Sequence, residues 1–341
     1  MKQIFLCMAI ASLSLHATRT PHRGIKNQLP RLVVTSSDDP NHTYTLTDNN
    51  LRPTPLFSIF DYEHFMEHLL PTDAITSING NGAHIKTAEL NEQISTLLQE
   101  INQQKKLYSY FIILKNSGFV RHKKSGLLIV KFKHYPIVLK LFIEPAKSFV
   151  NPYDKGFEAA NIFVMGGAIR HTLGFTRIKT LDYVRTKAKN DSYWRTNLTT
   201  PRKWFWLPQN PIWLEITTYN IGKKPVDHIR LPAIYGVIAD ALEQDLTHTP
   251  DHSTIMFFSK FLEHRIDPNT HNFFIDKSKG KLALIDTELF PLIAGFNKQI
   301  RPHHTHVKWY TYVAGHYLQK KIFTYKKQRQ MQLHDLNNYY L

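Results

Sequence analysis

Two short apolar runs, Phe273 to Asp276 and Leu282 to Ile285, stand on either side of Lys277, Ser278, Lys279 and Gly280. A four-residue polar turn ending in glycine between such runs leaves room for little but a tight antiparallel hairpin. Asp267 and Asn272 lie on the way in, and Asp286 on the way out. The hairpin carries the chain out and back, so the three oxygen-bearing side chains are expected to face one point. A cluster of carboxylate and amide oxygens suits Mg²⁺, a hard cation that shares its shell with phosphate oxygens. It also leaves one carboxylate to accept a proton from a hydroxyl.

The rest of the chain brackets this segment with a change of periodicity. Residues 18–55, rich in Thr, Pro, Asn, Asp and His, read as an extended leader with one short strand at Arg31–Thr35. Helical spacing follows in Phe57–Leu70 and Thr87–Gln104, where Leu90, Ile94, Leu97, Leu98 and Ile101 share a face. Three strand-like runs come next, at Tyr108–Leu114, Leu127–Phe132 and Ile137–Ile143. Lys133, His134, Tyr135 and Pro136 join the last two as an antiparallel pair. Residues 154–173 read as helical and Ile212–Thr218 as a strand. Leu231–Leu246 and Thr254–Glu263 read as helices, and the aromatic tail from Val307 as helical. The order predicts an α+β fold with two lobes, not a regular βαβ alternation. A leader over 18–106 packs on a small β-rich lobe over 107–220, and a larger helical lobe occupies 221–341.

The segment from His264 to Glu288 resembles the catalytic and metal-binding loops of the protein-kinase-like superfamily, which includes protein kinases and the aminoglycoside and choline phosphotransferases. That pattern has an Asp, an Asn five positions later, a hairpin and a second Asp. Here Asp267 to Asn272 is five positions and Asn272 to Asp286 fourteen. The resemblance implies that Asp267 orients or deprotonates an acceptor hydroxyl, and that Asn272 and Asp286 hold Mg²⁺ on the phosphates of ATP. Upstream, Pro136–Phe142 is similar to the third strand of the family's small lobe, with Lys140 in place of the lysine on the α- and β-phosphates. Glu158, eighteen positions later, is then its ion-pair partner. Trp213–Tyr219, with Glu215 among the cofactor-binding residues, is the strand entering the hinge against adenine, and a helix over Pro232–Glu243 opens the large lobe. The implied activity is ATP- and Mg²⁺-dependent transfer to a hydroxyl of a protein or small molecule.

Two departures from the pattern motivate a second expectation, a pseudokinase that binds without turnover. Ile266 is inserted, so His264 stands three residues before Asp267. The phosphate loop has only Gly118 and Gly126, with Arg121, His122, Lys123 and Lys124 between them. The third expectation comes from charge. The formal balance is +16, which attracts acidic partner surfaces and polyanions. The basic residues are spread thinly, without a dedicated nucleic-acid motif. Lys2 and the apolar run Ile4–Leu15, ending at Ala17, read as a secretory signal over 1–17. The mature chain is expected to be exported and to have no transmembrane span. Without a signal it would be cytoplasmic. Cys7, the only cysteine, falls inside that segment, which excludes disulfides and cysteine chemistry from the mature chain. His303, His304 and His306 have no carboxylate close in sequence and read as a surface loop.

Overall fold

The computed structural model describes residues 31–47, 60–78, 84–150, 169–219, 225–263 and 265–289. In chain order the elements are β1 (Arg31–Ser36), β2 (Asp39–Thr47), α1 (Tyr62–Glu67), β3 (Ala74–Thr76), β4 (His84–Lys86) and α2 (Thr87–Asn102). Then come β5 (Phe111–Val120), β6 (Ser125–Phe132), β7 (Ile137–Ile143), α3 (Ala146–Val150), α4 (Ile169–Gly174), α5 (Thr176–Lys189) and α6 (Ser192–Asn197). The remainder is β8 (Leu198–Thr199), β9 (Lys203–Trp206), β10 (Trp213–Tyr219), β11 (Pro225–Pro232), β12 (Ile234–Asp240), α7 (His252–Phe261), β13 (Phe273–Asp276) and β14 (Lys281–Leu284). The class is α+β. Among the described residues no helix is long and apolar enough to cross a membrane.

A five-stranded antiparallel sheet, in the order β5-β6-β7-β12-β9, carries the first functional candidate. Successive side chains of a strand point to opposite faces. Leu139 and Leu141 of β7 therefore pack with Leu90, Ile94 and Leu97 of α2 in one core. Lys140 and Phe142 face the other way, toward a second core shared with Phe65, Phe175, Phe205 and Tyr235. That second core also takes Leu32, Val34, Leu214 and Ile216 from a four-stranded sheet in the order β11-β10-β1-β2. A third core packs the β13–β14 hairpin against α5, α6 and α7 through Val184, Trp194, Phe258, Phe273 and Leu284. Helix α5 contributes Ile178 to the second core and Val184 to the third, so it ties the two sides of the molecule together.

The paired strands at 125–132 and 137–143 and the hairpin at 273–284 form as expected. Three expectations are corrected. Leu231–Leu246 is not a helix: β11 ends at Pro232, and Ile234–Asp240 is a strand buried on nearly its whole length. A strand covered on both faces reads as a continuous apolar run, which periodicity alone does not separate from a buried helix. Trp213–Tyr219 is a strand, but it pairs with β1 and β11 in the other sheet. The cross-strand neighbours of Lys140 are Ile129 on β6 and Val237 on β12. Lastly, Asp39–Thr47 forms a strand where loop was expected, and β1 sits inside a sheet instead of a leader. Most of β2 is exposed, so it shows little apolar alternation.

The β5–β6 hairpin turns through Arg121–Lys123, with Lys124 in the left-handed region. Gly126 has φ +111°, and a Cβ there would stand 2.1 Å from the Gly118 carbonyl oxygen. Backbone against backbone leaves no flexible atom to yield. Gly126→Ala is therefore expected to destabilise the protein by about 1–3 kcal/mol, read as a lower denaturant midpoint at unchanged slope.

Candidate functional site

The site is assembled from three directions. The middle of β7 presents Lys140. The hairpin exit presents Ile285, Asp286, Thr287 and Glu288. The first turn of α5 presents Arg177. The Lys140 ammonium lies 3.1 Å from Asp286 Oδ2. Arg177 donates to Asp286 Oδ1 and, through its other terminal nitrogen, stands 3.1 Å from Glu288 Oε2. Arg177 is 2% exposed, against 22% for Asp286 and 18% for Glu288. A guanidinium is a planar fork, and here it spans two carboxylates two residues apart.

The chain after β14 is stitched to α5. Thr287 Oγ1 donates to the Arg177 carbonyl, and the Leu289 N–H donates to Thr176 Oγ1 at 3.1 Å. Lys203 reaches in from β9, the edge strand of the same sheet. Its ammonium donates to Thr287 Oγ1 at 2.7 Å and to the Ile285 carbonyl at 3.1 Å. Behind Arg177 lies an aromatic stack: Tyr235 sits parallel to Phe142 at 4.7 Å and to Phe175 at 4.1 Å. Buried groups next to a fixed aromatic wall have little freedom to repack.

These positions set the charges. Burial alone would push the Asp286 carboxyl up, but Arg177, then Lys140 and Lys203, outweigh it and hold it well below the usual carboxylate range. Burial, followed by repulsion from Arg177, lowers Lys140. Burial, followed by repulsion from Lys140, drives Lys203 well below the ordinary lysine range.

Asp267 belongs to the same electrostatic neighbourhood. Its carboxyl is pushed up to about 6, first by burial and further by the carboxylates of Asp286 and Glu288, against the hydrogen bonds it accepts. It accepts from the Asn269 N–H at 3.2 Å, and the Asn272 amide donates to its backbone carbonyl at 3.1 Å. The Ile285 N–H donates to the Asn272 carbonyl at 3.0 Å. That bond ties the incoming loop to the hairpin exit just before Asp286. A carboxyl poised near neutrality beside ionised partners is the kind of group that exchanges protons.

Lys140, Asp267, Asn272 and Asp286 are thus brought together. Glu215 is not. Its carboxylate lies on β10 in the other sheet, half-buried, 2.9 Å from His228 and 3.2 Å from Arg230. Glu158, His264 and the cluster at His303, His304 and His306 lie outside the described residues. The residues missed from sequence are Arg177, Lys203 and Glu288. The sequence signal for Arg177 is indirect: two acids at 286 and 288 on the segment leaving the hairpin demand more positive charge than Lys140 supplies. Set against protein-family models, curated proteins and solved structures, the chain matches none.

Proposed function

We propose that the chain is an ATP- and Mg²⁺-dependent phosphotransferase acting on a hydroxyl of a protein or small molecule, on a two-lobed kinase-like frame. The observation that carries this reading is the Lys140–Asp286 contact at 3.1 Å. It joins a strand lysine of an antiparallel sheet to the residue leaving a hairpin, with Asp267 and Asn272 beside it. On this reading Lys140 holds phosphate oxygens and Asp267 accepts the proton of the attacking hydroxyl. Asp286 and Asn272 fit a Mg²⁺ ion. Both offer hard oxygens, and Asn272 spends an amide N–H on Asp267, which leaves its own oxygen for a cation. Bound there, the metal would neutralise charge on the phosphates. The rest of the work is positioning by Lys140, Lys203 and the stitched 285–289 segment.

One observation favours a second reading, a binding module without turnover. Both oxygens of Asp286 already carry a cationic partner, Lys140 on one and the buried Arg177 on the other. A metal must displace at least one of them.

The test is thermal unfolding of the purified chain with ATP and Mg²⁺, with ATP and a chelator, and with neither, beside Asp286→Ala. A ligand that binds the folded state alone raises the midpoint by mass action. The expected result is a rise that requires Mg²⁺ and vanishes in the variant, together with release of labelled phosphate or its transfer to a hydroxyl acceptor. A Mg²⁺-dependent rise without turnover selects the binding module. No rise at millimolar ATP defeats both readings, and a surface that binds polyanions with steep salt dependence then replaces them.

A further inference from the structure

His64 in α1 and His68 at its C-terminal cap stand one turn apart, and Asp182 reaches them from α5. One ligand-type atom from each of the three lies within 4.8 Å of the others. Both sides of the cluster are anchored. The Phe205 N–H of β9 donates to the His68 carbonyl at 2.7 Å, and the Leu70 N–H donates to the Phe205 carbonyl at 2.8 Å. Phe65, between the two histidines, is buried against Phe60, Phe175 and Phe205. On α5, Leu181 and Val184 are buried around Asp182.

The hydrogen bonds decide where the lone pairs point. His68 Nδ1 lies 2.8 Å from the His64 carbonyl oxygen. A carbonyl only accepts, so Nδ1 carries the hydrogen. In the neutral ring Nε2 then presents a lone pair, and it stands 3.5 Å from Asp182 Oδ2. A lone pair and a carboxylate oxygen repel, and either a proton on Nε2 or a metal cation between the two turns that repulsion into attraction. His64 Nε2 is buried and has no hydrogen-bond partner among the described residues. A single ion among the three would satisfy that nitrogen and relieve the repulsion at the other. An imidazole whose Nδ1–H is held by a carbonyl is also the usual posture of a histidine that ligates through Nε2.

We propose that His64, His68 and Asp182 form a binding site for a divalent first-row transition ion of the Zn²⁺ type, which clamps α1 to α5. Two imidazole nitrogens and one carboxylate select this class over Mg²⁺ and Ca²⁺, which take oxygen shells. Three protein ligands leave a fourth position for water. The charge opposing the site is Lys179, which acts on His64, and its ammonium lies 3.8 Å from Asp61. The site does not depend on the phosphotransferase reading. It does have a structural consequence for it, because α5 is the helix whose first turn holds Arg177.

The test is titration of the chelator-stripped full chain with Co²⁺, followed by Zn²⁺. One equivalent of Co²⁺ should give the visible bands of a four-coordinate site, and Zn²⁺ should displace it and raise the thermal midpoint. Asp182→Asn and His68→Gln should each weaken binding at least about tenfold, while their midpoints in chelator stay near the parent's. Asp182 is 45% exposed, so its amide variant is the one that isolates the ligand from the fold. A variant with His303, His304 and His306 all replaced by alanine should keep the equivalent. Equal Co²⁺ affinity in Asp182→Asn and the parent would overturn the proposal, as would loss of the equivalent in the triple alanine variant. Absence of Co²⁺ and Zn²⁺ binding at micromolar concentration would overturn it too.

Discussion

Replacing Arg177 with methionine is expected to lower the stability of the fold by about 3–5 kcal/mol, because removing one partner leaves buried opposite charges uncompensated. Methionine keeps much of the length that packs near Phe142, so the loss reports charge more than volume. Arg177 is almost fully buried and serves two carboxylates at once. In the variant, Glu288 loses its cation and Asp286 keeps only Lys140 in contact. The sign with pH follows from the depressed carboxyl of Asp286. A group whose folded pKa is lowered contributes its full stability above the unfolded value, near 3.9, and loses it as pH falls through the folded value. The gap between parent and variant should therefore be complete at neutral pH and narrow in acid below about pH 4. Urea unfolding at a series of pH values measures it. A loss of less than about 1 kcal/mol at pH 7 would place the pair with exposed ion pairs and remove Arg177 from its structural role.

The parts of this site that were legible in the sequence are those fixed by local chemistry. The turn Lys277–Gly280 dictates a hairpin whatever surrounds it, and the short apolar run Ile137–Ile143 behind the turn Lys133–Pro136 dictates a strand. Asp267, Asn272 and Asp286 could be placed together for the same reason, since the hairpin that joins them is self-contained. Arg177 and Lys203 were not legible. A cation becomes a buried partner only through contacts made by other elements, and in sequence both look like ordinary solvated charges. Glu215 shows the converse. The apolar run Ile212–Thr218 does form a strand, but pairing with β1 and β11 places it away from Lys140. The strand that does flank Lys140, Ile234–Asp240, was hidden because burial of both faces erased the period of two.

Asp267→Asn should separate the proton chemistry of the site from its architecture. Asparagine keeps a side-chain oxygen for the Asn269 N–H, so the turn survives while the charge is lost. The Asp267 carboxyl is raised to about 6 by burial and by Asp286 and Glu288. A group whose folded pKa is raised contributes stability that is present below the unfolded value and lost as pH rises through the folded one. Ionised Asp267 is thus a cost to the fold above pH 6. A shift of about two units corresponds to about 1–3 kcal/mol, after allowance for partial exposure. In the absence of nucleotide and divalent cation, the variant should be more stable than the parent by that amount at pH 7.5 and equal to it near pH 4. If Asp267 is the proton acceptor, turnover should fall by about 10²–10⁴-fold in the same variant. A variant that is both more stable and nearly inactive marks a residue kept in an unfavourable state for chemistry. If it gains stability and keeps its turnover, the raised carboxyl is a by-product of crowding, and the proton acceptor lies elsewhere. A loss of stability at pH 7.5 would mean that the loop needs the charge itself, and the burial argument for Asp267 would fail.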